Sequence, residues 1–280
     1  MSRPAPSTRK TVPPYDARMS TDDERHALRA TFDASPEAYD RARPVAPPEV
    51  FDDLVALAEL EPGARLLEIG CGTGQATRPL AERGFAIVGV ELGAQLAGLA
   101  RQNLASFPRV EVVASSFEDW DPAGQRFDAV VSFNAFHWID PEVRFAKSAS
   151  VLSDRGSLAV FGSHLVIHDG ADPVWLALAE DYEAVTGRPE ERLHVDEARD
   201  RSAEFTEGGH FASVARRTYT WDTTYTADEY VVLRGTMSMY AKLAETQRAE
   251  LFERIGRRID SSTGTVTPTW FAVLYVARKA

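Results

Sequence analysis

Short apolar runs recur along the first half of the chain, at 65–69 (RLLEI), 86–90 (AIVGV), 110–114 (VEVVA), 129–133 (AVVSF) and 158–161 (LAVF). Runs of this length, rich in Val, Ile and Leu, predict strands buried on both faces. Between them the apolar positions fall at helical spacing over about 75–83, 92–105 and 141–151. Alternating strands and helices predict βαβ units and a mostly parallel sheet with helices on both sides. Ahead of the first run, PPEVFDDLVALAEL (47–60) predicts an amphipathic helix opened by prolines, with Val50, Leu54, Leu57 and Leu60 near one face.

The ends follow other patterns. Residues 1–18 are rich in Pro, Ser and basic residues and have no apolar period, which predicts a disordered leader with order beginning near residues 19–20. Residues 21–44 read as helical with a break at Pro36. After Gly162 the alternation stops, and 163–212 carries one or two helices, a charged stretch at 190–201 and a Gly-Gly turn at 208–209. A strand is expected over 213–225, helices near 226–260, and a closing aromatic and β-branched strand over 267–279. The expected organisation is a leader (1–18), a core with N-terminal lid helices (19–162), an inserted cap or acceptor region (163–212), and a C-terminal part (213–280) that completes the sheet.

Composition narrows the function. The 280 residues are 44% hydrophobic and 26% charged, as in an ordinary soluble domain, with no run long enough for a membrane span and no signal-peptide core. A soluble, cytoplasmic protein is expected. A net charge of −11 opposes a phosphate backbone, so nucleic acid is disfavoured as a partner. The single cysteine, Cys71, excludes an intrachain disulfide and a Cys-based metal cluster; the six histidines show no H-x-E-x-H spacing, and no metal is expected.

The chemistry-bearing stretch is LLEIGCGTGQAT (66–77), in which Gly70, Gly72 and Gly74 close the first strand and open a helix. A ligand there lies against bare backbone at the carboxyl end of a parallel sheet. The dinucleotide pattern G-x-G-x-x-G fails, because Gln75 or Thr77 stands where its third glycine belongs. Glu91 ends the second strand, where a carboxylate can accept both hydroxyls of a ribose.

Glu68 ahead of the three glycines gives acidic-x-Gly-x-Gly-x-Gly, and this resembles the first motif of the class I S-adenosylmethionine (SAM)-dependent methyltransferases. The segment FDAVVSFNAFHWID (127–140) is similar to that family's fourth-strand segment, and Tyr39 and Arg43 in AYDRARP match the Y-x-x-x-R-P segment of small-molecule members related to trans-aconitate methyltransferase. The resemblance covers residues 30–162 and implies a Rossmann-like, seven-stranded, mostly parallel sheet whose last strand is antiparallel. It implies further that Glu68, Gly70, Gly72, Gly74 and Gln75 hold the methionine end of SAM, with Tyr39 and Arg43 closing over it. Glu91 and Leu92 would meet the ribose side, Ser116 and Phe117 the adenine, and Asn134 the cofactor from the fourth strand. Ser116 departs from the family, which commonly has an acidic residue there.

His137, after the fourth strand, is the candidate catalytic group, either as a base that takes a proton from the acceptor or as a wall of the pocket. Transfer from a sulfonium by direct SN2 displacement needs mainly in-line approach and desolvation. The expected product is S-adenosylhomocysteine, and the expected acceptor an apolar or aromatic small molecule of the kind met in secondary metabolism. Arg188, Arg192, Arg216, Arg217 or Arg234 would serve a carboxylate acceptor instead, as in the trans-aconitate reaction. A non-catalytic SAM-binding homologue, another SAM reaction, and a nicotinamide oxidoreductase are the alternatives. Oligomeric state and the choice among O-, N- and C-methylation stay open.

Overall fold

The computed structural model describes Asp33 and residues 36–280. The expected leader, His26 and the helix expected upstream of Pro36 lie outside the described residues. The chain proceeds through α1 (Pro36–Ala42), α2 (Pro48–Leu57), β1 (Arg65–Ile69), α3 (Thr77–Glu82), β2 (Ala86–Glu91), α4 (Ala94–Asn103), β3 (Val110–Ala114), β4 (Phe127–Phe133), α5 (Pro141–Val151) and β5 (Leu152–Ile167). It continues with α6 (Pro173–Thr186), β6 (Leu193–His194), α7 (Ser202–Thr206), β7 (Phe211–Asp222), β8 (Tyr225–Thr226), α8 (Ala227–Gly235), α9 (Ser238–Ala241), α10 (Glu245–Ser261), β9 (Thr265–Val266) and β10 (Thr269–Lys279).

The main sheet runs β3-β2-β1-β4-β5-β10-β7, with the two-residue β6 added beside β5. Strands β1 to β5 pair in parallel, and β10 is antiparallel to both β5 and β7. This is a Rossmann-like, mixed α/β fold with a mostly parallel sheet. Successive residues of one strand feed opposite cores, as the two-residue period of a strand demands. Leu67, Ile69, Val88, Val90 and Val130 pack on one face, while Leu66, Ile87, Ala129 and Val131 pack on the other. Helix starts follow local chemistry: Asp140 and Asp172 each accept a backbone N–H two residues on and are followed by proline, and Thr226 with Glu229 forms a capping box at α8. Among the described residues no helix is long and apolar enough to cross a membrane.

The second half differs from the expected cap. Strand β5 continues past Gly162 to Ile167, because β10 pairs with it from Ser157 to Val166. The helical layer is assembled from both sides of β7, with α6 packed against α10, and α10 against α8. Its core joins Trp175 and Leu178 of α6 to Tyr230 and Leu233 of α8 and to Leu251, Ile255 and Ile259 of α10. Those last three recur at four-residue spacing, one apolar stripe of an otherwise charged helix. Trp270 of β10 joins the same core, so α6 is completed by residues nearly a hundred positions along the chain.

Inside this layer Glu190, almost fully buried, joins two arginines: it pairs with Arg234, accepts from Arg192 Nε at 2.6 Å, and accepts from the Tyr240 hydroxyl at 2.6 Å. Arg192 also donates to the Trp175 carbonyl at 2.7 Å, and Arg234 lies 4.6 Å from the Tyr240 ring centre. Removing the one anion strands two buried cations, so Glu190→Ala is expected to cost about 3–5 kcal/mol. Urea unfolding measures it; a loss below about 1 kcal/mol would show that the cluster does not hold the helical layer together.

Candidate functional site

The sheet places a cleft at the carboxyl ends of β1 and β4, and the turn after β1 is its floor. Gly70 and Gly74 adopt φ of +69° and +91°, a region costly for any residue with a side chain. Space forbids one as well. A Cβ on Gly70 would collide with the Ala135 Cβ, and one on Gly74 would lie 2.8 Å from Leu104 Cδ1. These two glycines are therefore required by the left-handed turn and by its packing against Ala135 and Leu104.

Two carboxyls flank it. Glu91 Oε2 accepts from the Gly72 N–H at 2.9 Å and Oε1 from the Gly93 N–H at 2.8 Å, so this carboxylate fastens the end of β2 to the glycine turn. Glu68, at the end of β1, is 1% exposed, and its Oε2 has no hydrogen-bond partner among the described residues. Burial pushes the Glu68 carboxyl up to about 8; the Thr77 hydroxyl opposes the rise and the Glu91 charge adds to it.

Helix α1 forms the roof. The Tyr39 ring lies over Gly72, and the Thr73 hydroxyl donates to Asp40 Oδ1 at 2.5 Å. Gln75 Nε2 donates to the Asp40 carbonyl at 2.8 Å, so the residue that breaks the dinucleotide pattern holds the roof to the turn. Arg43 Nε donates to Thr236 Oγ1 at 2.9 Å and its Nη2 to the Thr236 carbonyl at 2.8 Å, which joins the roof to the end of α8.

The remaining wall is aromatic. Phe133 and Phe161 stand with ring centres 5.2 Å apart, and Trp221 stacks on Trp270 at 6.2 Å and 13°. All four line the same cleft as Glu68, Gly70, Gly72, Gln75, Tyr39 and Arg43, together with Asn134 and Ser163. Asn134, at φ +56°, accepts from the Ser163 N–H at 2.7 Å and donates to its hydroxyl at 3.1 Å.

The other expected site residues lie apart from this wall. Leu92 is 44% exposed beside Glu91. Ser116 Oγ donates to Asp119 Oδ2 at 2.7 Å and accepts from the Asp119 N–H, and so closes a turn. Phe117 is 2% exposed within the core, its ring 5.3 Å from Lys147 Nζ. His137 is half-buried in the 3-10 turn Phe136–Trp138, its ring 5.0 Å from that of Trp138, and does not line the cleft. The five arginines named for a carboxylate acceptor are also outside it: Arg192 and Arg234 serve Glu190, and Arg216 lies 3.9 Å from Asp200. Sequence reasoning missed Thr73, Asp40, Ser163, Thr236 and Trp270. The Trp221–Trp270 pair was hidden because it depends on the register of β7 against β10. Among the described residues no group of three or more His, Cys, Asp or Glu is placed to hold a metal.

Comparison with known proteins agrees with this architecture. A family profile described as a methyltransferase domain matches residues 66–156. An uncharacterised methyltransferase of Mycobacterium tuberculosis is 32% identical over 136 residues, which are 49% of this chain and 53% of that protein. The malonyl-acyl-carrier-protein O-methyltransferase of Geobacter sulfurreducens is 33% identical over 146 residues, 50% of this chain and 54% of its own. The chain thus spans about half the length of the curated relatives it matches. Among solved structures, one from Anaeromyxobacter dehalogenans is 22% identical with a TM-score of 0.60, covering 85% of this chain and 97% of that one. Phosphoethanolamine N-methyltransferase 2 of Haemonchus contortus, solved with S-adenosylhomocysteine and phosphomonomethylethanolamine, is 15% identical with a TM-score of 0.52, covering 94% of this chain and 61% of its own. Likeness at these identities carries the fold.

Two glycines should respond oppositely to one added carbon. Gly70→Ala is expected to destabilise by about 1–3 kcal/mol through its left-handed φ and the Ala135 contact. Gly98→Ala, inside α4 with nothing within 4 Å, is expected to stabilise by about 0.5–1 kcal/mol. Thermal unfolding of both variants checks the pair; equal shifts would contradict the close packing of the turn.

Proposed function

Given that this chain carries a methyltransferase domain of the class I, SAM-dependent family, we propose that it transfers a methyl group from SAM to a neutral, apolar or aromatic small molecule. The observation that carries this is the two-sided cleft: a glycine turn with Glu68 on one side, held from behind by Glu91, and four aromatic rings with Asn134 and Ser163 on the other.

The residues present fit SAM. A buried carboxyl oxygen without a hydrogen bond suits an ammonium, and Gly72, where a Cβ would meet nothing nearer than the Tyr39 ring at 3.7 Å, leaves backbone open to a close ligand beneath the roof. Glu91 retains lone pairs for ribose hydroxyls beyond the two backbone N–H groups it accepts. When bound, SAM supplies a methyl group on a cationic sulfur, open to in-line displacement. The protein's part is to align the acceptor and exclude water, which Phe133, Phe161, Trp221 and Trp270 are suited to do. Tyr39 and Arg43 close the cleft from above, Leu92 offers an apolar surface on the nucleoside side, and Ser116 and Phe117 shape the turn beside it. His137, held against Trp138 outside the cleft lining, acts as acceptor-side base only through a movement of the 3-10 turn toward the acceptor, and otherwise supports the pocket by packing.

A carboxylate acceptor is less well supported, because among the described residues Arg43 is the cleft's one guanidinium and it is tied to Thr236. The nicotinamide alternative loses further ground from Gln75, whose side chain spans the place of the missing glycine and holds the roof.

Methyl-labelled SAM with a panel of neutral aromatic hydroxyls and amines, dicarboxylates and tRNA tests the proposal. Label is expected in the neutral aromatic class; transfer confined to dicarboxylates or tRNA would overturn it. His137→Ala is expected to lower kcat at least about 100-fold with SAM affinity within twofold of the original, as for a general base. Loss of SAM binding in proportion to activity would assign His137 a packing role.

A further inference from the structure

Glu68 and Glu91 flank one turn but are satisfied unequally. Glu91 accepts a backbone N–H on each oxygen, which favours its ionised form. Glu68 lines the cleft, is 1% exposed, and leaves Oε2 without a hydrogen bond among the described residues. A lone buried carboxylate is costly, and the usual escape is to keep its proton.

The groups around Glu68 leave that imbalance in place. From β2 the Glu91 carboxylate faces it and disfavours a second negative charge. From the turn comes the Cys71 thiol, which burial keeps protonated, and from α3 the uncharged Thr77 hydroxyl. From β4, Ser132 gives its hydroxyl to the Ile69 carbonyl. From α1, Tyr39 and Arg43 line the cleft, but the Arg43 guanidinium is bonded to Thr236, while Asp40 accepts from Thr73. Arg101 of α4 acts on Cys71. Among the described residues, no cation is paired with Glu68.

We propose that Glu68 is a proton-exchanging seat for the cationic amino-acid end of SAM: it holds a proton in the empty cleft and releases it to solvent when the ammonium arrives. This rests on the SAM reading above. The step balances: the Glu68 O–H bond breaks, the proton leaves to buffer, and the carboxylate pairs with the ammonium. Glu68 thereby discriminates by charge, since a neutral nucleoside thioether offers nothing to compensate the ionised form.

The sign follows from the raised value near 8 in the empty protein. Below it the carboxyl must lose a proton to bind, so SAM affinity rises with pH, about tenfold from pH 6 to 7, and stops rising near pH 8, where the ammonium of SAM begins to lose its own proton. Calorimetric titration at pH 7 in two buffers of different ionisation heat counts the protons. Close to one proton released per SAM is expected for the original protein, and almost none for Glu68→Gln or for 5′-methylthioadenosine, which lacks the amino-acid end. If that variant does not fold, the original protein still decides, through the pH dependence of its SAM affinity and through loss of a protonated-carboxyl infrared band on loading. Affinity independent of pH from 6 to 8 with no proton released, or unchanged release in Glu68→Gln, would overturn the proposal while leaving SAM binding intact. If the folded protein binds neither SAM nor S-adenosylhomocysteine, the SAM reading itself fails and takes this proposal with it.

Discussion

Gly70 packs against Ala135 so closely that no side chain fits between β1 and the segment after β4. That contact sets the backbone of the turn against the carboxyl edge of the sheet, and the cleft's other parts are arranged around it. The strand order puts β1 and β4 side by side at the centre, so the turn after β1 and Asn134 after β4 face one opening. Glu91 then ties the neighbouring strand to the turn through Gly72, and α1 is laid over it by Thr73 and Gln75. Each of these bonds uses a backbone group or side chain that the turn alone exposes.

The same constraint links the two halves of the molecule. Arg43 reaches from the roof to Thr236 at the end of α8, and α8 also carries Arg234, the partner of buried Glu190. The roof, the aromatic wall and the helical layer therefore share a continuous set of contacts, with the glycine turn at one end and Glu190 at the other.

The sheet was legible in the sequence wherever burial acts on a strand from both faces. Strands β1 and β3 fall on their apolar runs residue for residue, and β2 and β4 extend theirs by one or two. Beyond Gly162 the strands expected over 213–225 and 267–279 lie at Phe211–Asp222 and Thr269–Lys279, but the prolongation of β5 to Ile167 was not legible, because it comes from pairing with β10 and no local pattern records a partner over a hundred residues away. For the same reason the packing of α6 on α10 across β7 was not legible, although helices were expected in both segments. In the cleft, Glu68, Gly70 and Gly72 could be placed together from sequence because they are neighbours in one turn, whereas Tyr39 comes from α1 and meets that turn only through the fold. Phe117 and Ser116 were less legible, since one turns into the core and the other closes a turn with Asp119. Trp270 and Ser163 depend on strand register and could be found only in three dimensions.

The central claim is that the glycine turn and its two carboxyls form a SAM site. Calorimetric titration of the protein with SAM, S-adenosylhomocysteine and NAD in parallel tests it most directly. Micromolar binding of the first two, corresponding to about −8 kcal/mol, and no binding of NAD are expected. Tight NAD binding with neither SAM nor its product bound would contradict it.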